Sequence, residues 1–463
     1  MTTATRENVP TPRPGPTAPR SYHFPSFTRT TLPNGMRLVV APVTKLPLVS
    51  ISAVIDAGAR TEREVEEGVA ALTAQLLLEG AAGMDGAALT DRFERIGTSV
   101  EAHADWDSAA VTLTVMRERL PEALTLVRDL LRAPEFPERE VARLKDERLA
   151  ELMQLRAEPG SLADEQFSRA VYAPTARYAT PAAGSSTSVR ALTRDVVRDF
   201  YARRYRASTI TLVLAGDVTV DGARVLAEQL FGDWEGGEVP TNERAIDTAP
   251  EQKLIRIVAK SDAPQSEVRV GHAGLPRRTP DYFAVTVMNA VLGGLFSSRI
   301  NLNLREAHGY TYGAFSAFEW RRGAGPFTIQ TAVKSEVTGA AVREILKEIE
   351  GIRTAPISES ELTLATSYLD GVFPIRYETT AAIATALSNL VIQDLPENYY
   401  DEYRSRVRAV TTDDVLRAAE RHLHPERLHI VIVGDPVVIA DQLTGLRGMQ
   451  VDLVNADGAE VAA

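Results

Sequence analysis

The groups in this chain that could do chemistry are few, and their spacing restricts them. The seven histidines are His23, His103, His272, His308, His422, His424 and His429. No two stand in an HExxH or HxxEH pattern, in which imidazoles one helical turn apart share a face and grip one zinc ion. His422, His424 and His429 form the tightest group, at the junction of a helix and a strand. There a cation complements the negative end of the helix dipole, which is reason enough for their presence. Cysteine is absent, which removes disulfides, thiolate metal sites and a cysteine nucleophile. No GxSxG elbow occurs, and Ser297-Ser298 has no assignable His/Asp partner. The run from Gly293 to Ser298 lacks the lysine and glycine spacing of a phosphate loop, so its small residues read as a helix-packing surface. Leu304–Tyr312, LREAHGYTY, is the remaining candidate. Gly309 is a natural helix stop, so Arg305 falls in the last helical turn and Tyr312 on the strand that follows. On spacing alone the pair reads as a helix-terminal arginine and a strand tyrosine.

These residues must be positioned by regular elements. Phe27–Leu32 and Met36–Pro42 are strand-like runs about Asn34-Gly35, a favoured tight-turn pair. Val49, Ile51, Ala53 and Ile55 alternate with polar or small residues, as in a half-buried strand. Gly68–Gly80 reads as a helix, Val111–Val115 as a strand, and Pro121–Leu131 and Glu138–Leu155 as amphipathic helices, the last with Val141, Leu144, Leu149, Leu152 and Leu155 on one face. ITLVLAGD at Ile210–Asp217 returns as HIVIVGD at His429–Asp435, with Gly216 and Gly434 separated by 218 residues. The same offset relates Thr193, Asp195 and Val197 to Thr411, Asp413 and Val415, where a threonine N-cap and a first-turn acid open a helix. Such a repeat implies two copies of one fold. The polar stretch 236–252 separates them and reads as a linker.

The 463-residue length allows two or three domains, and 44% hydrophobic with 24% charged residues is an ordinary soluble globular composition. A net charge of −11 argues against a nucleic-acid partner, which would demand a basic face. No run of about 18 apolar residues predicts a membrane span. The first 24 residues lack an apolar signal core and carry Pro10, Pro12, Pro14, Pro16 and Pro19, so they are expected as an extended mobile tail. On that absence the expected location is cytoplasmic, or periplasmic should the chain start elsewhere.

Asn289–Ser316, NAVLGGLFSSRINLNLREAHGYTYGAFS, resembles the C-terminal-domain signature of the inverzincins, the zinc peptidases that include insulinase, pitrilysin and mitochondrial processing peptidase. Leu32–Pro42 and Val410–Asp435 resemble the family's first strands and its closing helix and strand. The likeness runs over residues 27–445. It implies an α+β fold of two similar domains of about 200 residues, each an antiparallel sheet with helices on one face, forming half of a clam shell. The domains are expected at 25–235 and 253–452, with tails at 1–24 and 453–463.

The family's zinc helix carries HxxEH shortly after a strand ending like Gly58-Ala59-Arg60. At that place this chain has Ala71-Leu72-Thr73-Ala74-Gln75. Ala71 and Gln75 therefore replace the zinc histidines and Ala74 the general base, while Glu147, seven residues after Glu140, matches the third-ligand glutamate. A catalytic zinc needs three protein ligands and a base to activate water, so no metal and no catalytic residue is expected in this chain. In the family's heterodimers a metal-free subunit contributes an Arg/Tyr pair to its partner's site, and Arg305 and Tyr312 match that pair. The resemblance implies a non-catalytic, substrate-positioning subunit for peptides, inactive alone, whose HxxEH-bearing homologous partner holds the zinc. A structural scaffold, or an active peptidase with a relocated metal, are the alternatives. The strand about Val100–His103 matches the family's peptide-pairing edge.

Overall fold

In the computed structural model, residues 21–238, 246–249, 253–444, 446 and 449–461 are described. The proline-rich leader up to Arg20 and most of the expected linker lie outside them. Two six-stranded sheets organise the chain. The first is built from β1 (Thr28–Thr31), β2 (Arg37–Pro42), β3 (Leu48–Ile55), β4 (Glu101–Ala104), β5 (Ala109–Met116) and β6 (Ile210–Gly216), in the order β1-β2-β6-β3-β5-β4. The second is built from β7 (Leu254–Ala259), β8 (Gln265–Ala273), β9 (Ala314–Phe318), β10 (Pro326–Lys334), β11 (His429–Gly434) and β12 (Gln450–Val454), in the order β12-β7-β11-β8-β10-β9.

The repeat in sequence is a repeat in space. β6 and β11 occupy the same position, each antiparallel to its neighbour on one side (β3, β8) and parallel to its neighbour on the other (β2, β7). The helices before them, Arg194–Arg204 and Thr412–His422, open on Thr193 and Thr411, whose side chains accept from Val196 N–H and Asp414 N–H. The two-domain α+β organisation is as expected. The sheets themselves are mixed rather than wholly antiparallel, because β2–β6, β7–β11 and β7–β12 run parallel. At the C-terminal end β12 reaches Val454, which bridges Glu460.

The helices that shape the site are α1 (Val69–Leu76), α2 (Leu120–Arg132), α3 (Glu138–Ala157), α4 (Pro159–Val171), α5 (Tyr282–Asn289), α6 (Glu359–Arg376) and α7 (Thr380–Ile392). Two of them are exchanged. α4 leaves the first half and packs on β8 and β11 of the second sheet, while α7 leaves the second half and packs on β3 and β6 of the first. This overturns the half-buried reading of β3. All of its residues except Leu48 are buried, since α7 covers the face that local sequence shows as polar. Ser50 Oγ reaches Thr114 Oγ1 at 2.8 Å and Thr380 Oγ1 at 2.9 Å, and Ser388 Oγ donates to Ser52 Oγ at 3.0 Å, so the buried hydroxyls satisfy one another across the exchange. α4 is pinned in turn by Arg269, whose Nε meets Asp164 at 2.5 Å.

Two segments depart from the sequence reading. Tyr22 and Phe24, assigned to the mobile tail, are anchored: Phe24 is buried and stacks on Tyr400 at 4.5 Å, and Tyr22 meets Phe373 at 5.8 Å. Aromatic side chains with a pocket available gain too much by burial to stay in solvent. Tyr282–Ala307 is long and apolar enough to cross a membrane by length and composition, yet it serves the core. Val285, Val287, Met288 and Leu292 are fully buried, and the helix breaks after Gly294.

Candidate functional site

α1 begins at Gly68, whose φ of +95° suits glycine alone. Its first N–H groups are met by the Glu62 carboxylate, which accepts from Gly68 at 3.1 Å and from Ala70 at 2.9 Å. Glu62 is in turn paired with Arg177, Nε to Oε2 at 2.8 Å, both side chains being 0% exposed. Burial pushes the Glu62 carboxyl upward, and Arg177 and the two backbone donors oppose that rise. The rest of the Arg177 guanidinium donates to Thr180, Pro181 and Ala182, fixing the loop that faces the start of α1.

A cavity of about 210 Å³ lies between α1, α3, this loop and the end of β4. Ala71 and Gln75, one turn apart on α1, line it, while Ala74 points into the core at 1% exposure. α3 contributes Lys145, Arg148 and Glu151. Lys145 Nζ donates to the Arg190 and Leu192 carbonyls, and Arg148 pairs with Glu151 at 2.8 Å. Glu147 is not a lining residue. It is 58% exposed and sits in a surface cluster with Arg143, which also binds Glu79 and Glu140.

The second candidate region is reached through asparagines. Asn289 exchanges two bonds with Ser316 of β9, Oγ to Oδ1 at 2.7 Å and Nδ2 to the carbonyl at 3.0 Å. Asn301, fully buried, donates to Phe296 O at 2.5 Å and accepts from Ala314 N–H at 3.1 Å. Between them Gly293 packs so tightly on Ser316 that a Cβ would lie 2.5 Å from its Oγ, which bears out the packing role of the small residues. Arg305 lies in a widened helical turn, Leu302–Ala307, closed by Gly309 at φ +65° with its N–H bonded to Arg305 O. The Arg305 guanidinium rests 4.4 Å from the Phe296 ring centroid, with Glu306 at 3.5 Å. Tyr312 is 94% exposed and stands in the loop before β9, not on the strand: the turn made by Thr311 Oγ1 and Gly313 delays the strand to Ala314.

The histidines regroup. His422 pairs with Asp281 at 2.7 Å, at the helix end where the sequence placed it. His424 and His429 join instead with His272, around a cavity of about 180 Å³. His272 donates from Nδ1 to Ala273 O at 2.8 Å and accepts the His424 N–H at Nε2 at 3.1 Å. Burial lowers His272 and His429 to about 4, so both are neutral in the fold.

Comparison with known proteins identifies the chain. Residues 39–181 match the model for Insulinase (Peptidase family M16), and residues 191–369 match that for the Peptidase M16 inactive domain. This chain belongs to peptidase family M16. Among M16 relatives it is 24% identical over 430 residues to a Mycobacterium tuberculosis protein named uncharacterized zinc protease, covering 91% of this chain and 96% of the other. It is 23% identical over 426 residues to a probable mitochondrial-processing peptidase subunit beta of Arabidopsis thaliana, covering 89% and 78%. To a Helicobacter pylori protein named non-peptidase homolog it is 24% identical over 395 residues, covering 84% and 90%. A peptidase M16 inactive domain from Pseudomonas fluorescens superposes with a TM-score of 0.83 at 25% identity, over 88% of this chain and 98% of that one.

An M16 zinc centre does not fit these residues. Alanine offers no donor, Gln75 is a poor one, and no group of three or more His, Asp or Glu among the described residues is placed to hold a metal ion. Lys145 and Arg148, offset only by Glu151, leave an excess positive charge on the wall where a dication would sit, which disfavours it. Glu147, the third-ligand match from sequence, does not line the cavity. The α3 carboxylate facing Ala71 and Gln75 is Glu151, one helical turn beyond Glu147. Asn289, Asn301 and Phe296 were missed for a different reason: their role is to hold a loop, and only contacts reveal it.

Proposed function

We propose that this M16 chain is the non-catalytic, substrate-positioning subunit of a heterodimeric zinc metallopeptidase. Its partner would be a homologous chain bearing HxxEH, which holds the zinc and hydrolyses peptides. One observation carries the reading. The helix that should hold metal and base offers Ala71, Ala74 and Gln75, while the loop presenting Arg305 and Tyr312 keeps a dedicated asparagine scaffold. A chain relieved of chemistry but still built to present an arginine and a wholly exposed tyrosine suits a role exercised on something outside itself. The arginine fork suits peptide carbonyls and carboxylates.

The test has two arms. Purified alone, the chain should carry no stoichiometric zinc by mass spectrometry and should leave a fluorogenic peptide library uncut. One zinc per chain with chelator-sensitive cleavage would overturn the proposal. Co-expressed with the HxxEH-bearing M16 homologue of its own genome, the pair should cleave peptides. Arg305→Ala should then lower kcat/KM by roughly 10–150-fold, the equivalent of one charge-assisted bond, with assembly and zinc content intact. Tyr312→Phe should do so more weakly. Unchanged turnover in both variants would leave the chain as a scaffold, with Arg305 doing no more than stacking on Phe296.

A further inference from the structure

We infer that the cavity between α1 and α3 is a receptor for the carboxylate side chain of an extended peptide paired with β4. β4 is the last strand of its sheet, so its outer backbone groups face away from β5 and can accept an added strand. Side chains of an added strand alternate between the two faces of the sheet. On the α1 side, bordered by His103 and Ala104 of β4, lies the 210 Å³ cavity. On the other side, where Glu101 projects and which His103 also borders, lies an open groove of about 580 Å³ lined by Thr98, Ser99, Thr112 and Thr114 and by Thr385 of α7. The two therefore read alternate residues of one peptide, and their chemistry differs.

The cavity is suited to an anion. Lys145 spends two of its three N–H donors on the Arg190 and Leu192 carbonyls. Arg148 spends Nε on Ala183 O at 3.4 Å and one terminal nitrogen on Glu151, leaving its other terminal nitrogen. Among the described residues Glu151 is the only acid lining the cavity, so the walls carry one excess positive charge, bounded by Leu72, Val189 and Leu192 for a side chain's methylenes. A Glu side chain entering from β4 would meet both remaining donors. The groove opposite is hydroxylated, with Glu101 on its rim, and favours small neutral side chains at the flanking positions. The inference rests on the peptide-positioning reading above and names its substrate class: acidic residues flanked by small polar ones.

The experiment uses the full chain alone, so its failure would leave the proposed partnership standing, and failure of the Arg305 arm would leave this inference standing. The probe is a fluorescein-labelled, C-terminally amidated heptapeptide, Thr-Val-Thr-Glu-Thr-Val-Thr, with Gln and Lys counterparts at the central position. Binding is read by fluorescence anisotropy. The Glu peptide should bind roughly tenfold or more tightly than the Gln peptide, the worth of one charge-assisted contact. The net charge of −11 repels an acidic peptide at long range, so such a preference reports the cavity and not the protein's overall field. Lys145→Met and Arg148→Met should each erase the preference and leave the Gln peptide unchanged. Glu151→Gln, at an exposed position that tolerates substitution, should sharpen it by removing the competing acid. Equal affinity for the Glu and Gln peptides overturns the inference. So does a preference that survives both cation variants, or binding that appears only with a free C-terminal carboxylate.

Discussion

Replacing Arg177 by methionine removes a guanidinium that is wholly enclosed and makes five hydrogen bonds: one to Glu62, two to Thr180, and one each to Pro181 O and Ala182 O. Glu62 is left buried without its countercharge at the N-terminus of α1. Breaking one side of a buried pair costs about 3–5 kcal/mol, since the stranded charge keeps its desolvation penalty. For a domain of about 200 residues each kcal/mol shifts the midpoint by about 2–4 °C, so the variant should melt roughly 6–20 °C below the wild type. Arg143→Met is the matched control. Arg143 contacts three carboxylates, but in solvent, and its loss should cost no more than about 1 kcal/mol. Adding Glu62→Gln to Arg177→Met should recover stability, because the amide oxygen still accepts from Gly68 and Ala70 with no charge to strand. The pH dependence supplies a sign. In Arg177→Met the Glu62 carboxyl titrates higher in the fold than in the unfolded chain, so the deficit should shrink as pH falls through that raised value. Thermal melts and urea denaturation of the four proteins measure these outcomes. Equal costs for Arg177→Met and Arg143→Met would refute the argument from burial.

Two further outcomes follow from the same geometry. His272 and His429 are held near 4 by burial, below the unfolded value of about 6.5, so their contribution is complete above about pH 6.5 and is lost as pH falls toward 4, on the order of 3 kcal/mol for each. The urea midpoint should drop between pH 7 and 5, and His429→Phe should flatten that slope; a slope unchanged by the substitution counts against a buried neutral imidazole. Gly271 of β8 has no room for a methyl group, since a Cβ would stand 1.9 Å from Phe327 O and 3.0 Å from the Phe167 ring of α4. Gly271→Ala should cost about 3 kcal/mol and expose α4 to protease, and wild-type resistance to limited proteolysis would show that the exchanged helix does not depend on that approach.

The sequence disclosed what is local or repeated. Asn34-Gly35 makes its turn with Gly35 at φ +86°, Gly309 stops its helix, and the 218-residue offset brought out two strands that occupy one position in two sheets. It misled wherever a partner comes from far away. Ser50 and Ser52 look solvent-facing in β3 until α7 arrives, and the apolar positions of α7 say only that it is buried, not beneath which sheet. The site was legible to within one helical turn. A glutamate on α3 faces Ala71 and Gln75, but counting residues chose Glu147, whereas the position of α3 along its axis against α1 selects Glu151, one turn further on the same face. Nothing in the spacing marked Lys145 and Arg148, whose meaning depends on the wall opposite them.

The exchanged helices also bear on how such a chain is made. Ser52 finds its buried partner Ser388 only 336 residues later. At about 5–20 residues per second the ribosome needs roughly 20–70 s to deliver it, during which the first sheet has strands but one uncovered face. Vectorial synthesis thus cannot finish the first domain before most of the second has emerged. A nascent chain stalled near the interdomain stretch would present that face to other nascent chains and to chaperones, and neither half can be expected to survive as a separately expressed fragment.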